Sequence, residues 1–297
     1  MGAVMPVLAH DSRLLWQRRT PLAQWAVWFG WLALAVLFVL SWQVMNKNTI
    51  WLFVEDAPRQ AADLLSRAWP PRWSYLDRLW APLWDTINIA TLGTGLGIVL
   101  ATPVAFLAAR NTTPSAALVR PLALLLIVAS RSINSLIWAL LLVAIIGPGL
   151  LAGIVAIALR SIGFIGKLLY EAIEEIDETE VEAVRATGAS RWQIMDYAVW
   201  PQIAPAFAGI SVFRWDINIR ESTILGLVGA GGIGLQLQSS LARLAWAEVT
   251  VIFIVILATV VVSEWVSAKV RARSSERGVL QNCHKTRSCC GRNLPPR

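Results

Sequence analysis

The sequence predicts an all-α polytopic membrane protein with about six transmembrane helices. Three observations lead there. Hydrophobic residues make up 56% of the 297 and charged residues only 15%, whereas soluble domains average about 45–50% apolar and about 25% charged. The apolar residues gather into runs near the ~20 residues a helix needs to cross a bilayer, and mean hydropathy is +0.58. Sixteen Trp stand against three Tyr, and Trp favours the membrane–water interface.

The same numbers exclude other classes. A net charge of +7 could suggest nucleic acid, but no basic run interleaved with aromatics occurs outside the tail. The charge fits cytoplasmic loops and anionic lipid instead. Cys283, Cys289 and Cys290 all lie in the last fifteen residues, so the body depends on no disulfide.

In chain order, residues 1–22 form a short polar, basic segment with Arg13, Arg18 and Arg19. Span one runs from about Trp25 to Val44. It is too long for the apolar part of a signal peptide, and no small-residue cleavage site follows. Residues 46–83 carry mixed charge and four prolines and read as an external loop, with a surface helix around Arg59–Ala68. Span two, about Trp84–Ala109, contains Gly93, Gly95 and Gly97, small residues that let helices approach. Arg110 and Arg120 bracket a short cytoplasmic loop. Span three covers about Pro121–Ile146, and Gly147-Pro148-Gly149 makes a tight external turn. Span four, about Leu150–Ile165, ends near Arg160 and Lys167, which can snorkel to the inner surface. Span five covers about Ile203–Val228 and span six about Trp246–Val266. Lys269, Arg271 and Arg273 then mark the inside, so both termini fall in the cytoplasm. The membrane body and its tails divide as 1–22, 23–270 and 271–297. The last segment is polar and basic, and disorder is its default reading. Its Cys283, His284, Cys289 and Cys290 match no standard zinc spacing, so no metal is expected.

Between spans four and five lies a polar island, about 171–201. An acidic run leads into Glu182-Ala183, Gly188 interrupts the helical turn, and Ser190 can cap a second short helix through Ala198. Pro201 and Pro205 follow and are expected to end it. The residues admit two readings, a solvated cytoplasmic loop or a docking elbow for a soluble partner.

Polar residues inside spans form a second signal, because an Arg there costs at least about 2.5 kcal/mol on insertion scales and should face a cavity or partner. Arg131, Asn134 and Ser135 lie at i, i+3 and i+4 of span three, so they share one face; Arg131 reads either as a pathway residue or as an arginine snorkelling near a helix end. In span five, Arg214, Asn218 and Glu221 share a stripe, and Asp216–Arg220 is an i, i+4 pair in the favourable order. That pair serves equally as an internal ion pair or as part of a path. Ser222 lies beside it. Arg214 lacks a close partner in the sequence, Glu221 being two turns away. If Arg131 and Arg214 face one cavity, they give an oxyanion the planar donor forks it needs.

Gly229, Gly231, Gly232 and Gly234 spell a dinucleotide fingerprint, but that motif requires a strand before it and a βαβ context. Here a charged transmembrane run precedes it, so the glycines read as a tight external turn where backbones approach.

Glu182-Ala183, then Gly188, then Pro201 resembles the coupling loop of ABC importer permeases. Arg220-Glu-Ser-Thr-Ile-Leu-Gly-Leu-Val-Gly-Ala-Gly-Gly-Ile-Gly234, with Arg131-Ser-Ile-Asn134 and Arg185-Ala-Thr-Gly188, is similar to permeases of phosphonate importers over roughly residues 25–270. Val184 stands where a second Ala is usual, and Ala198 and Trp200 where Ile and Leu are usual.

The resemblance implies a type I ABC importer permease fold, an elbow that meets an ATPase through Glu182, Ala183, Gly188 and Pro201, and a homodimer in the bacterial inner membrane. It implies two cytoplasmic ATPase subunits and an external substrate-binding protein. ATP and Mg would bind the ATPase, and this chain would hold no cofactor. The expected cargo is phosphonate or a related phosphorus oxyanion; phosphite or methionine is the alternative. A self-sufficient secondary carrier would show inverted repeats, which are not seen. A membrane enzyme lacks a nucleophile–base or metal set, since the two His are His10 and His284.

Overall fold

Long apolar runs without a breaker become long helices. The computed structural model describes residues 7–10, 13–16 and 21–290, with side-chain surroundings for 22–272. Two compact units divide at Leu64/Leu65.

In the first unit, β1 (Val7–His10) pairs antiparallel with β2 (Arg13–Trp16). Helix α1 (Pro21–Asn48) follows, at about 1.5 Å per residue long enough for a bilayer. Helix α2 (Trp51–Ala68) begins there and continues across the division, with Pro58 inside it. It is longer than the surface helix expected around Arg59–Ala68. Trp51-Leu-Phe-Val form an apolar first turn, and polar residues alternate with small ones beyond.

In the second unit, a short 3₁₀ turn (Trp73–Arg78) leads into α3 (Trp80–Ala108). Then come α4 (Val119–Ser132), α5 (Ser135–Ile146) and α6 (Leu150–Glu174). Helices α3 and α6 make the most extensive pair, and α9 (Trp200–Gly226) packs on both. Ile89, Ala156, Ile157 and Leu225 meet in one buried cluster of this three-helix contact. The last helices are α10 (Ile233–Ala242) and α11 (Trp246–Cys290), and α11 also packs on α9.

Four further expectations from the sequence change. The third span is broken: α4 and α5 meet at 88°. Ile133 is extended, and Asn134 leaves helical geometry to cap α5, its side chain accepting from the Leu136 N–H at 3.3 Å. A cap stabilises the new helix by about 1 kcal/mol, so the residue expected on a helix face instead ends one helix and starts another.

Helix α6 does not stop at Ile165 but runs to Glu174. Ile162, Ile165, Leu169 and Ile173 are buried along one face, so the stretch is amphipathic rather than wholly apolar. Arg160 therefore sits well inside the helix.

Pro201 and Pro205 do not end the second elbow helix. One wide π turn, Met195–Val199, joins α8 (Arg191–Ile194) to α9, and Pro201 occupies the first turn of α9, where a missing N–H costs least.

Helix α11 passes Val266 and stays helical to Cys290, although composition predicts loss of structure from Ser274. No proline occurs between Trp246 and Pro295 to stop it. Residues 291–297 lie outside the described residues.

Among the described residues, four helices are long and apolar enough to cross a membrane, or five if the bent α4–α5 pair is one span. Helix α9 has the length but carries Arg214, Asp216, Arg220 and Glu221. It is suited to a packed interior rather than to lipid.

Candidate functional site

Helix α9 carries its polar side chains into the helix pair α3–α6. Arg214 is 1% exposed, and Asn218 and Ser222 are fully buried. Arg214 Nε donates to Ser161 Oγ of α6 at 3.1 Å, and its guanidinium lies over the Phe164 ring at 5.1 Å. Asn218 Nδ2 donates to the same Ser161 Oγ at 3.1 Å and to Thr94 Oγ1 of α3 at 2.7 Å. The helices approach this closely because residue 97 is glycine: a Cβ there would lie 2.6 Å from Ser161 Cβ. Asn218 Oδ1 is buried without a hydrogen-bond partner among the described residues.

The stripe expected from helical spacing is therefore real. Arg214, Asn218 and Glu221 converge, and Ser161 and Thr94 complete the network from the neighbouring helices. The expectation that Arg214 lacks a close partner is corrected: a terminal nitrogen lies 3.4 Å from Glu221 Oε2. Seven residues are two helical turns, about 10 Å of rise, which two long side chains span.

Arg160 of α6 faces the other oxygen, Oε1, at 3.3 Å. Sequence reading placed Arg160 near a span end and missed it as a member of this site. The signal was Ile162–Ile173, whose helical periodicity extends α6 and so moves Arg160 inward. The three groups carry two positive charges and one negative. Their accessible side is that of Arg160, 30% exposed, and Glu221, 17% exposed.

Other predicted residues are placed elsewhere. Asp216 is bound by Arg220 and accepts from Ser263 Oγ of α11 at 2.8 Å, so this pair fastens α9 to α11. Ser222 donates to the Ile219 carbonyl of its own helix. Arg131 ends α4 with an exposed side chain, while Arg214 is enclosed, so the two do not face a common cavity here. The α4 end is nevertheless fixed to the same stretch of α6. Ser130 Oγ donates to the Leu159 carbonyl and accepts from the Gly163 N–H. Asn134 and Ser135 stand at the α4–α5 bend, Ser135 buried.

The polar island folds as an elbow. Helix α7 (Glu178–Ala186) is capped by Asp177, which accepts from the Thr179 N–H at 3.0 Å. Gly188 then reverses the chain at φ +80° with open space around it. A capping box starts α8: Ser190 caps, and Gln193 Oε1 accepts from the Ser190 N–H at 2.8 Å. Glu182 and Ala183 are exposed on α7. Glu182 lines a groove of about 440 Å³ with Thr112, Pro114, Glu178, Arg185 and Arg191. Trp192 is 85% exposed at the elbow tip. Behind the tip, Val181 and Met195 pack on a buried cluster of Ala105 of α3, Leu169 and Ile173 of α6 and Ile203 of α9, with Ala109 just past α3 and Val199 in the π turn. The elbow is thus packed against the helices that hold the polar network.

At the other end of α9, Gly229, Gly231 and Gly232 all have positive φ. Gly234 lies against Gly226, where a Cβ would come within 2.8 Å of its Cα. The turn brings backbones together as the sequence predicts, and the Ile233 N–H donates to Thr86 Oγ1 of α3 at 2.8 Å.

Residues 94–271 match the family of binding-protein-dependent transport system inner membrane components. The chain is 40% identical over 256 residues to the phosphite transport system permease protein PtxC of Stutzerimonas stutzeri, covering 86% of this chain and 90% of that one. It is 38% identical over 236 residues to the phosphate-import permease protein PhnE of Mycolicibacterium smegmatis, covering 78% of this chain and 44% of the relative. Among solved structures, an inward-facing MetNI methionine ABC transporter matches with TM-score 0.60 at 21% identity, over 68% of this chain and 99% of the other. That likeness concerns the fold.

Proposed function

Because the chain belongs to the family of inner-membrane components of binding-protein-dependent transport systems, we propose that it is the permease through which a phosphorus oxyanion, phosphite or phosphonate, enters the cytoplasm. It is a transport subunit of the ABC importer type, not an enzyme. The observation that carries the substrate class is the 40% identity to a phosphite permease over 86% of the chain. The buried arginine-bearing stripe of α9 supports it.

In this reading two copies form the membrane pore, and each elbow seats in one of two cytoplasmic ATPase subunits through Glu182, Ala183, Gly188 and the chain up to Pro201. ATP and Mg bind the ATPase. A binding protein delivers the oxyanion at the opposite face, near Gly229–Gly234. Both termini are cytoplasmic. The path runs along the accessible side of α9 at Glu221 and passes the α4–α5 bend at Arg131, Asn134 and Ser135, while the enclosed Arg214, with Asn218, holds α9 against α3 and α6. ATP closure moves the elbows, the cluster behind them moves with α3, α6 and α9, and the path changes the side to which it opens.

The test is ATP hydrolysis by the purified permease–ATPase assembly with its binding protein. Phosphite- or phosphonate-loaded binding protein should stimulate hydrolysis, and methionine should not. Stimulation by methionine alone would replace the oxyanion with an amino acid.

A further inference from the structure

Glu221 divides its two oxygens between two arginines of unequal standing. Arg214, on Oε2, is committed to the interior: it is 1% exposed, bonds Ser161 and lies on Phe164. Arg160, on Oε1, uses only its Nε in this contact and has a 30% exposed side chain. A guanidinium has five N–H donors in a fixed fork. The four on the terminal nitrogens of Arg160 have no hydrogen-bond partner among the described residues.

One carboxylate between two guanidinia leaves one positive charge uncompensated. That charge is displayed on the accessible member, in a helix that otherwise buries Ala156, Ile157, Ser161 and Ile165. In a partly desolvated place a charge acts strongly, and a planar fork with free donors suits an anion with two or three equivalent oxygens.

We propose that Arg160 is the receiving cation for the translocated oxyanion, and that Glu221 is the internal counter-anion whose place beside Arg160 the oxyanion takes in passing. The proposal rests on the oxyanion-permease reading above and adds to it a residue and an exchange. A monoanion balances the spare charge. Return of Glu221 to Arg160 then releases the cargo, which meets the need that a transported ion be bound without being trapped. Arg214 does not take part directly; it keeps one Glu221 oxygen in place, so that the carboxylate cannot leave the site when the other is displaced.

The test uses proteoliposomes holding the complete permease–ATPase assembly, ATP in the lumen of the ATPase side, and binding protein loaded with phosphite. The readout is phosphite moved per ATP hydrolysed. Arg160→Gln should lower the phosphite-to-ATP ratio at least about ten-fold whatever hydrolysis rate it retains, because hydrogen bonds to a charged group are lost. Arg160→Lys keeps the charge and loses the fork, and should lower the ratio by less than Arg160→Gln does but measurably below wild type. A wild-type ratio in Arg160→Gln present at normal abundance overturns the proposal. If Arg160→Gln does not reach the membrane, Arg160→Lys decides, and a wild-type ratio there overturns it equally. Wild-type vesicles that move no phosphite or phosphonate would remove the underlying functional reading and this proposal with it, an outcome distinguished by the unmutated control.

Discussion

The Arg160 guanidinium on α6 lies 3.3 Å from Glu221 Oε1 on α9, and Arg214 lies 3.4 Å from the other oxygen of the same carboxylate. One glutamate thus joins the two helices that the elbow cluster also holds. The geometry gives these residues different roles, and substitutions should separate them.

Arg214→Gln should act first on stability. The side chain is enclosed and its partner Glu221 is mostly buried, and breaking a buried ion pair costs about 3–5 kcal/mol. Glu221 keeps Arg160, which places the loss toward about 3 kcal/mol. The check is thermal unfolding in detergent and membrane abundance. A variant as stable and abundant as wild type would show that Arg214 is not held by this network.

Asp216→Asn should weaken the seating of α9 on α11. The aspartate holds Arg220 and accepts from Ser263, and hydrogen bonds to a charged group contribute about 1.5–3 kcal/mol each. Lower membrane abundance is expected, with partial recovery on adding Arg220→Gln, since the unpaired cation is then removed. No recovery in the double variant would contradict the pairing.

Gly188→Trp should leave the chain in the membrane and uncouple it. Nothing lies within 4 Å of a Cβ at Gly188, so the side chain starts into open space, and its φ of +80° costs a non-glycine residue about 1–2 kcal/mol locally. Gly188→Ala carries the same backbone cost without bulk and should couple better than Trp. Co-purification with the ATPase and stimulated hydrolysis are the measurements, and normal stimulation in the Trp variant would remove the elbow from the ATPase contact.

Truncation after Arg273 should leave uptake unchanged. The matched family region ends at residue 271, and the residues beyond have neither apolar periodicity nor a metal-ligand spacing. Uptake by the truncated chain, normalised to its abundance, is the measure.

Much of this architecture was legible in the sequence because periodicity and breakers act locally. Gly188 and Ser190 specify a turn and a cap wherever they occur, and the α9 stripe follows from 100° per residue. What escaped depended on partners distant in the chain. Arg214 looked unpaired because Glu221 lies two turns along its helix and Arg160 lies on another helix. The α4–α5 bend escaped because the apolar runs on both sides of Arg131-Ser-Ile-Asn134 read together as one span, while the capping preference of Asn134 decides otherwise. Pro201 read as a terminator, yet a π turn ahead of it lets the helix continue.

The most direct test of the central claim is accumulation of labelled phosphite by proteoliposomes containing the permease, its ATPase and its loaded binding protein, with and without ATP. ATP-dependent accumulation that labelled methionine does not show is the predicted result. Phosphite uptake equal with and without ATP would contradict an ATP-driven importer and point to a self-sufficient carrier.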